Sequence, residues 1–338
     1  MWNMRYSKLI RLCGLAWAAL LLSATPPSVP NNVSLKMAKI QGLYGDRLTT
    51  YGYLMRPRVQ NQPSPAVILL HGGFQAGSGE WIVPEGGLAL KLVQAGYIAF
   101  ALDYRGSGNH GEQFDKLDNL GTSAVDDVRS ALKLLQSWEI VDPHRIAVIG
   151  TSRGATMALR AAEMTDQIKL VVGYSSVVDY RIFYCQQGCA TSAESKRWCE
   201  TLSRQEKIKI PPAQSPTKFC QYLKDAAGCN PWESACHVFV EGSPLLHLDQ
   251  LHTPVLLHHS EADTTAFFPA VLELNRQMDR LRIPHKLFVY STQDYGPVDH
   301  GFLYPALPSY NQAAADVAWK RTIQALDYYL KGKGARPW

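Results

Sequence analysis

Ile146-Ala147-Val148-Ile149 runs directly into Gly150-Thr151-Ser152-Arg153-Gly154, and Met157–Met164 follows. Four consecutive apolar residues read as a buried strand, and the segment behind them reads as a helix. The five residues between fit G-x-S-x-G. Alone the pentapeptide is weak, because chance gives about one match in ten chains of this length. Its setting is the stronger signal. A sharp turn between strand and helix exposes a serine to substrate, and the glycines relieve crowding around a strained residue. Arg153 then presents its backbone N–H at a helix N-terminus, where negative charge is favoured. Ser152 is therefore the candidate nucleophile.

A hydroxyl is a poor nucleophile at neutral pH and needs a base, which in turn needs a carboxylate to orient it. With a serine on such a turn, the order along the chain is serine, acid, histidine, each at a strand end. Asp263 follows the apolar run Val255–Leu257, and His300 lies in the loop before the last helical pattern, Ala313–Leu330. By residue type the rival bases are His258, His259, His247 and His110, but none precedes that final helix. Glu261 and Asp294 are the rival acids. Upstream, Ala66–Leu70 ends in His71-Gly72-Gly73-Phe74. A tetrahedral intermediate needs a second N–H from such a loop. Gly73 supplies it, or Phe74 if the register differs. His71 reads as a structural loop residue.

Working outward, Tyr97–Leu102, Leu170–Val172 and Lys286–Tyr290 also read as strands, and Ala270–Leu281 as a helix. Ala124, Val128, Ala131 and Leu135 recur at helical spacing, with Ser123 as a possible N-cap. Strands and helices in alternation predict an α/β fold with a mostly parallel, doubly wound sheet covered on both faces. Leu48–Met55 is a plausible leading antiparallel edge. Gly106-Ser107-Gly108-Asn109-His110-Gly111 is a formal G-x-G-x-x-G. It is rejected as a dinucleotide site because no helical stripe opens until Ser123.

Residues 179–250 break the alternation. They hold Cys185, Cys189, Cys199, Cys220, Cys229 and Cys236, five prolines and little sustained helical period. The segment reads as an inserted cap with too few apolar residues to hold itself, braced by three disulfides. All 15 pairings remain open. Zinc is the competitor, but the paired C-x-x-C knuckles of common structural sites are absent.

Arg5, Lys8 and Arg11 precede the uncharged run Leu12–Leu22, then Ser23-Ala24 and Pro26-Pro27. That is the order of a secretory signal over residues 1–24, which predicts a secreted or periplasmic protein with residues 40–338 as its catalytic domain. An uncleaved anchor fits less well, since eleven residues are too few to cross a bilayer, and no later run is long enough to span. The chain of 338 residues carries a net charge of +5, three units of it in the signal. The remainder is too near neutrality to argue for nucleic acid.

Five motifs in order now resemble the α/β-hydrolase superfamily, specifically the prolyl oligopeptidase catalytic domain and the dienelactone hydrolases. They are His71-Gly72-Gly73, Leu102-Asp103-Tyr104-Arg105-Gly106-Ser107, Gly150-Thr151-Ser152-Arg153-Gly154, His259-Ser260-Glu261-Ala262-Asp263 and His300-Gly301-Phe302. The resemblance covers His71 to about Leu330 apart from the cysteine-rich segment. It implies the same nucleophile, acid and base, with no metal and no organic cofactor. Three departures stand out. Ser260 replaces the family's usual glycine, serine replaces the usual dienelactone hydrolase cysteine, and the stretch before His71 is too short for a propeller. The expectation is an exported serine hydrolase cleaving an ester or amide acyl bond through an acyl-enzyme, carboxylesterase-like and acting on an ester or small amide. The alternative is a prolyl-oligopeptidase-type peptidase acting on short peptides. A binding protein on a hydrolase fold is the reading from a different class, and it sits badly with a complete candidate triad.

Overall fold

The computed structural model describes residues 29–73, 77–82, 87–107, 120, 122–211, 215–305 and 307–338. The expected signal segment 1–24, Phe74 and His110 lie outside the described residues.

All the apolar runs expected as strands fall in one sheet. They become β2 (Thr50–Pro57), β3 (Ser64–Leu70), β4 (Ile98–Asp103), β5 (Val141–Thr151), β6 (Val171–Tyr174), β7 (Val255–Ser260) and β8 (His285–Tyr290), joined by β1 (Val33–Ile40). The order is β1-β2-β4-β3-β5-β6-β7-β8. Only β2 runs against its neighbours. The expectation for Leu48–Met55 is corrected in one respect. That strand is antiparallel, but β1 lies outside it and forms the edge. Lys36 and Lys39 break β1's apolar pattern, as suits a strand with one side in water.

The described helices are α1 (Gly79–Ile82), α2 (Leu88–Gln94), α3 (Thr122–Gln136), α4 (Arg153–Glu163), α5 (Tyr180–Gln186), α6 (Ala193–Gln205), α7 (Phe219–Ala227), α8 (Val238–Glu241), α9 (Phe268–Leu281), α10 (Thr292–Tyr295) and α11 (Gln312–Lys331). Ser123 lies inside α3 rather than capping it, because the helix already begins at Thr122. The period of two along each strand divides the core. Ile68, Leu70, Val148 and Leu257 face α3, α4 and α9, while Val67, Leu69, Ile149 and Leu256 face α1, α2 and α11. Strands buried on both faces are why the runs carry no alternating polar residues.

The cysteine-rich insertion between β6 and β7 holds α5 to α8, more helix than its proline content suggested. It is not short of apolar side chains either. Tyr180, Phe183, Leu202, Leu223 and Phe239 are buried in the same core as Leu70 and Met157. Tyr184 meets Trp198, Trp232 and Phe239 edge-on. The pairing left open by the sequence is Cys185–Cys199, Cys189–Cys220 and Cys229–Cys236. We expect none of these six thiols to react with a thiol reagent when the unreduced mature protein is denatured. Reduction is expected to cost about 2–5 kcal/mol for each bridge and to concentrate proteolytic cuts between Cys185 and Cys236. Six reactive thiols without reductant would contradict the bridges.

One buried group couples the fold to pH. Burial pushes the Glu163 carboxyl, at the end of α4, up to about 8 against the opposing charge of Arg160. Arg160 bonds Glu163 and also donates from Nε to the Glu241 carbonyl of α8. The folded state keeps a proton that the unfolded chain releases above its ordinary value of 4.5. This contribution is therefore full below pH 4.5 and is lost as pH rises to about 8, by a total on the order of 5 kcal/mol. Thermal melts of Glu163→Gln should lack that alkaline decline, and an unchanged pH slope would refute the assignment.

Candidate active site

The turn between β5 and α4 puts Ser152 at φ 50°, ψ −118°. A non-glycine residue there is strained by about 1–3 kcal/mol and persists only if its surroundings hold it. The Ser152 amide donates to the Tyr174 carbonyl of β6 at 2.8 Å, and the Ser152 carbonyl accepts from Ala155 and Thr156. The two glycines are steric necessities. A Cβ on Gly150 would stand 2.2 Å from the Gly154 oxygen, and one on Gly154 would stand 2.2 Å from the Leu70 oxygen. The bend can thus bring α4 against β3 only with glycine at both positions.

The fold brings together Ser152, His300 and Asp263, which stand far apart in the chain. His300 Nε2 lies 2.9 Å from Ser152 Oγ. His300 Nδ1 lies 2.9 Å from Asp263 Oδ2 and 3.1 Å from Oδ1. The Asp263 side chain is wholly buried, while that of His300 stays 23% exposed, so the ring faces both a shielded carboxylate and open space. Burial by itself would raise the Asp263 carboxyl. The neighbouring His300, His259 and the Ala266 amide more than offset this and hold it below the ordinary aspartate value. Amides of Thr265 and Ala266 donate to Oδ1 at 2.9 and 2.7 Å, which pins the carboxylate's orientation.

The rival acids are engaged elsewhere. Glu261 accepts from the Thr292 amide, and Asp294 accepts from the Ser291 hydroxyl. His258 is buried between Tyr290 and Thr322, with burial depressing its imidazole to about 3. His259 bonds the Ala266 carbonyl and lies 3.5 Å from Asp263. His247 bonds the Val240 carbonyl in the insertion.

The second donor loop follows β3. Gly73 adopts φ 69°. His71 is buried, and that burial lowers its imidazole to about 4, so the ring is neutral. Nδ1 lies 2.9 Å from the Gly72 carbonyl and therefore carries the proton that donates to it. That carbonyl shares a peptide plane with the Gly73 N–H, so His71 orients the candidate oxyanion donor. Its ring stacks on Tyr104 at 4.2 Å, and the Tyr104 hydroxyl donates to the His71 carbonyl at 2.7 Å. Arg153, the other candidate donor, opens α4.

The prolyl oligopeptidase family model matches residues 88–226, and the dienelactone hydrolase family model matches residues 224–330. YtaP of Bacillus subtilis (strain 168) is 33% identical over 149 residues, which is 38% of this chain and 49% of that protein. The acylamino-acid-releasing enzyme of Rattus norvegicus is 22% identical over 234 residues, covering 68% of this chain and 28% of that one. A puromycin-hydrolyzing peptidase of Mycobacterium tuberculosis superposes with a TM-score of 0.67 at 18% identity, over 91% of this chain and 41% of that one. The chain belongs to the α/β-hydrolase superfamily. It spans half or less of the length of each of these three relatives.

In this α/β-hydrolase, several residues that residue type alone did not single out hold the loops in register. Asp299 accepts from the His300 amide at 2.7 Å and from the amide and hydroxyl of Thr264. It thereby ties the His300 loop to the Asp263 loop. The Ser175 hydroxyl donates to the His300 carbonyl at 2.8 Å. Ser260, the departure from the family's glycine, donates to the Val298 carbonyl at 2.8 Å and so bridges the same two loops. The insertion reaches this region as well. Gln186 and Gln187 donate to the carbonyls of Thr264 and Thr265, immediately after Asp263. Side-chain amides and hydroxyls of this kind carry no sequence periodicity, so only the folded chain exposes them. Among the described residues, no cluster of histidine, cysteine or carboxylate side chains is arranged to hold a metal ion.

Proposed function

We propose that this α/β-hydrolase is an exported serine hydrolase that cleaves an acyl bond through an acyl-enzyme on Ser152. The observation that carries the proposal is the unbroken line of contacts from Ser152 Oγ through His300 to Asp263. His300 Nε2 takes the serine proton as Oγ attacks the acyl carbon. Asp263 keeps Nδ1–H pointed at itself and stabilises the imidazolium that forms. The amides of Gly73 and Arg153 receive the oxyanion, and Nε2 returns the proton to the leaving amine or alcohol. Water then enters, gives its proton to the same nitrogen and releases the acid.

The sequence points to an ester or a small amide. The match to the prolyl oligopeptidase family and the similarity to acylamino-acid-releasing and puromycin-hydrolyzing relatives favour an amide or short-peptide bond as the natural substrate. Esters remain substrates on chemical grounds, because an alkoxide leaves more readily than an amine. The disulfide-braced insertion acts as a cap over the acyl site, which its contacts with the Asp263 loop support. Export is supported by the N-terminal charge pattern and by three disulfides, which persist in oxidising compartments. Among the described residues no helix is long and apolar enough to cross a membrane.

The deciding experiment is a parallel screen of acyl esters, aminoacyl arylamides and N-acylated short-peptide amides on oxidised mature protein. It is paired with fluorophosphonate labelling. Labelling at Ser152 with turnover of at least one amide series is the expected result. Turnover of esters alone would return the protein to the carboxylesterase reading. No labelling and no turnover would favour a binding protein on a hydrolase fold.

A further inference from the structure

The mechanism leaves one carboxylate beside the site unassigned. Glu80, in α1, has no part in the Ser152–His300–Asp263 line, yet its side chain holds Thr151, where the segments that must stay in register meet. Thr151 Oγ1, one residue before the nucleophile, donates to Glu80 Oε1 at 2.9 Å. Gly72, in the oxyanion loop, packs so closely here that a Cβ on it would stand 3.2 Å from Thr151 Oγ1. The hydroxyl of Tyr304, four residues past His300, donates to Thr151 Oγ1 at 2.8 Å. Burial raises the Glu80 carboxyl, and nearby Tyr304, Thr151, Gly72 and His300 oppose that rise.

The residues around Glu80 hold it in place. Trp81 is fully buried and meets Tyr304 edge-on at 5.9 Å. The Ser78 amide donates to Asp103 at the end of β4 at 2.6 Å. A side chain anchored this firmly acts as a fixed point for whatever it binds.

We propose that Glu80 is a positioning residue that, by holding Thr151, keeps the nucleophile turn in register with the oxyanion loop and with the segment after His300. This rests on the function proposed above. His71 fixes the Gly72 carbonyl, and Thr151, held by Glu80, is part of the surface that Gly72 packs against. A displaced Thr151 would therefore move the Gly73 N–H relative to Ser152 Oγ. Oxyanion donors matter most in the transition state, and their effect falls steeply when they are displaced by about 1 Å. The Glu80 contact falls on Thr151 and not on the serine hydroxyl, so its removal should lower turnover more than it weakens ground-state binding.

The test uses full-length mature protein, an activated ester and a boronic acid that forms a tetrahedral adduct with the serine. Glu80→Ala is expected to lower kcat about 10²–10³-fold and leave KM within about threefold. The boronate inhibition constant should rise in parallel with the loss in kcat/KM, because both depend on the oxyanion donors. Glu80→Gln is nearly isosteric and still accepts from one donor, so it should recover most of the loss and sit within about tenfold of wild type. A rise in KM with unchanged kcat, or boronate affinity that stays constant while kcat falls, would overturn the proposal. So would full activity in Glu80→Ala. Should Glu80→Ala fail to fold, Thr151→Val removes the same hydrogen bond from the other side, and wild-type kcat and boronate affinity in it would overturn the proposal. If wild-type protein neither turns over the ester nor binds the boronate, the hydrolase reading itself fails, which is a separate result.

Discussion

Ser152→Ala is expected to fold as wild type and to lose about three to six orders of magnitude in turnover. The strain at φ 50° belongs to the backbone, and alanine takes the same turn without the hydroxyl. The bonds that hold the turn run through the Ser152 amide and carbonyl, so they survive the substitution. What disappears is the oxygen 2.9 Å from His300 Nε2 that would form the acyl-enzyme. Steady-state turnover and fluorophosphonate labelling on matched, folded samples make the measurement. Substantial labelling that persists in the alanine variant would place the nucleophile elsewhere.

Asp263→Asn is expected to cost about 10³–10⁴ in turnover. Asparagine keeps an oxygen to accept from the Thr265 and Ala266 amides, so the acid loop should hold its shape. Its NH₂ group, however, faces Nδ1 as a donor. The imidazole then adopts the tautomer with the proton on Nε2 and can no longer take the Ser152 proton. The buried charge that would stabilise the imidazolium is lost as well. Asp294→Asn is the control, since that carboxylate accepts from Ser291 and serves a short helix start. An active Asp263→Asn beside an inactive Asp294→Asn would show that the acid is misassigned.

How much of this was legible in the sequence depended on whether a feature was local. The strands of the parallel sheet could be found because burial on both faces demands unbroken apolar runs, as in Val67-Ile68-Leu69-Leu70. The strand–turn–helix around Ser152 could be found because its glycines answer a local steric demand. Asp263 and His300 could be nominated because strand ends converge on one edge of such a sheet. The edge strand β1 was less visible, because its exposed side is polar and breaks the run. The insertion was misjudged as poor in helix and in apolar residues. Its aromatics are scattered along the chain and meet only when α5, α6 and α8 pack onto the sheet.

The sequence by itself determined the fold class, the oxidisable cysteines and the three residues nominated for the triad, because each rests on residue type, short-range spacing or order along the chain. Only the tertiary structure decided which cysteines pair, how Gln186, Gln187 and Asp299 tie neighbouring loops to that of Asp263, and that Thr151 stands between Glu80 and Tyr304. These are contacts between segments distant in the chain, made by single side chains with no repeating pattern. Their partners become defined only when the sheet closes and brings the segments to within hydrogen-bond reach.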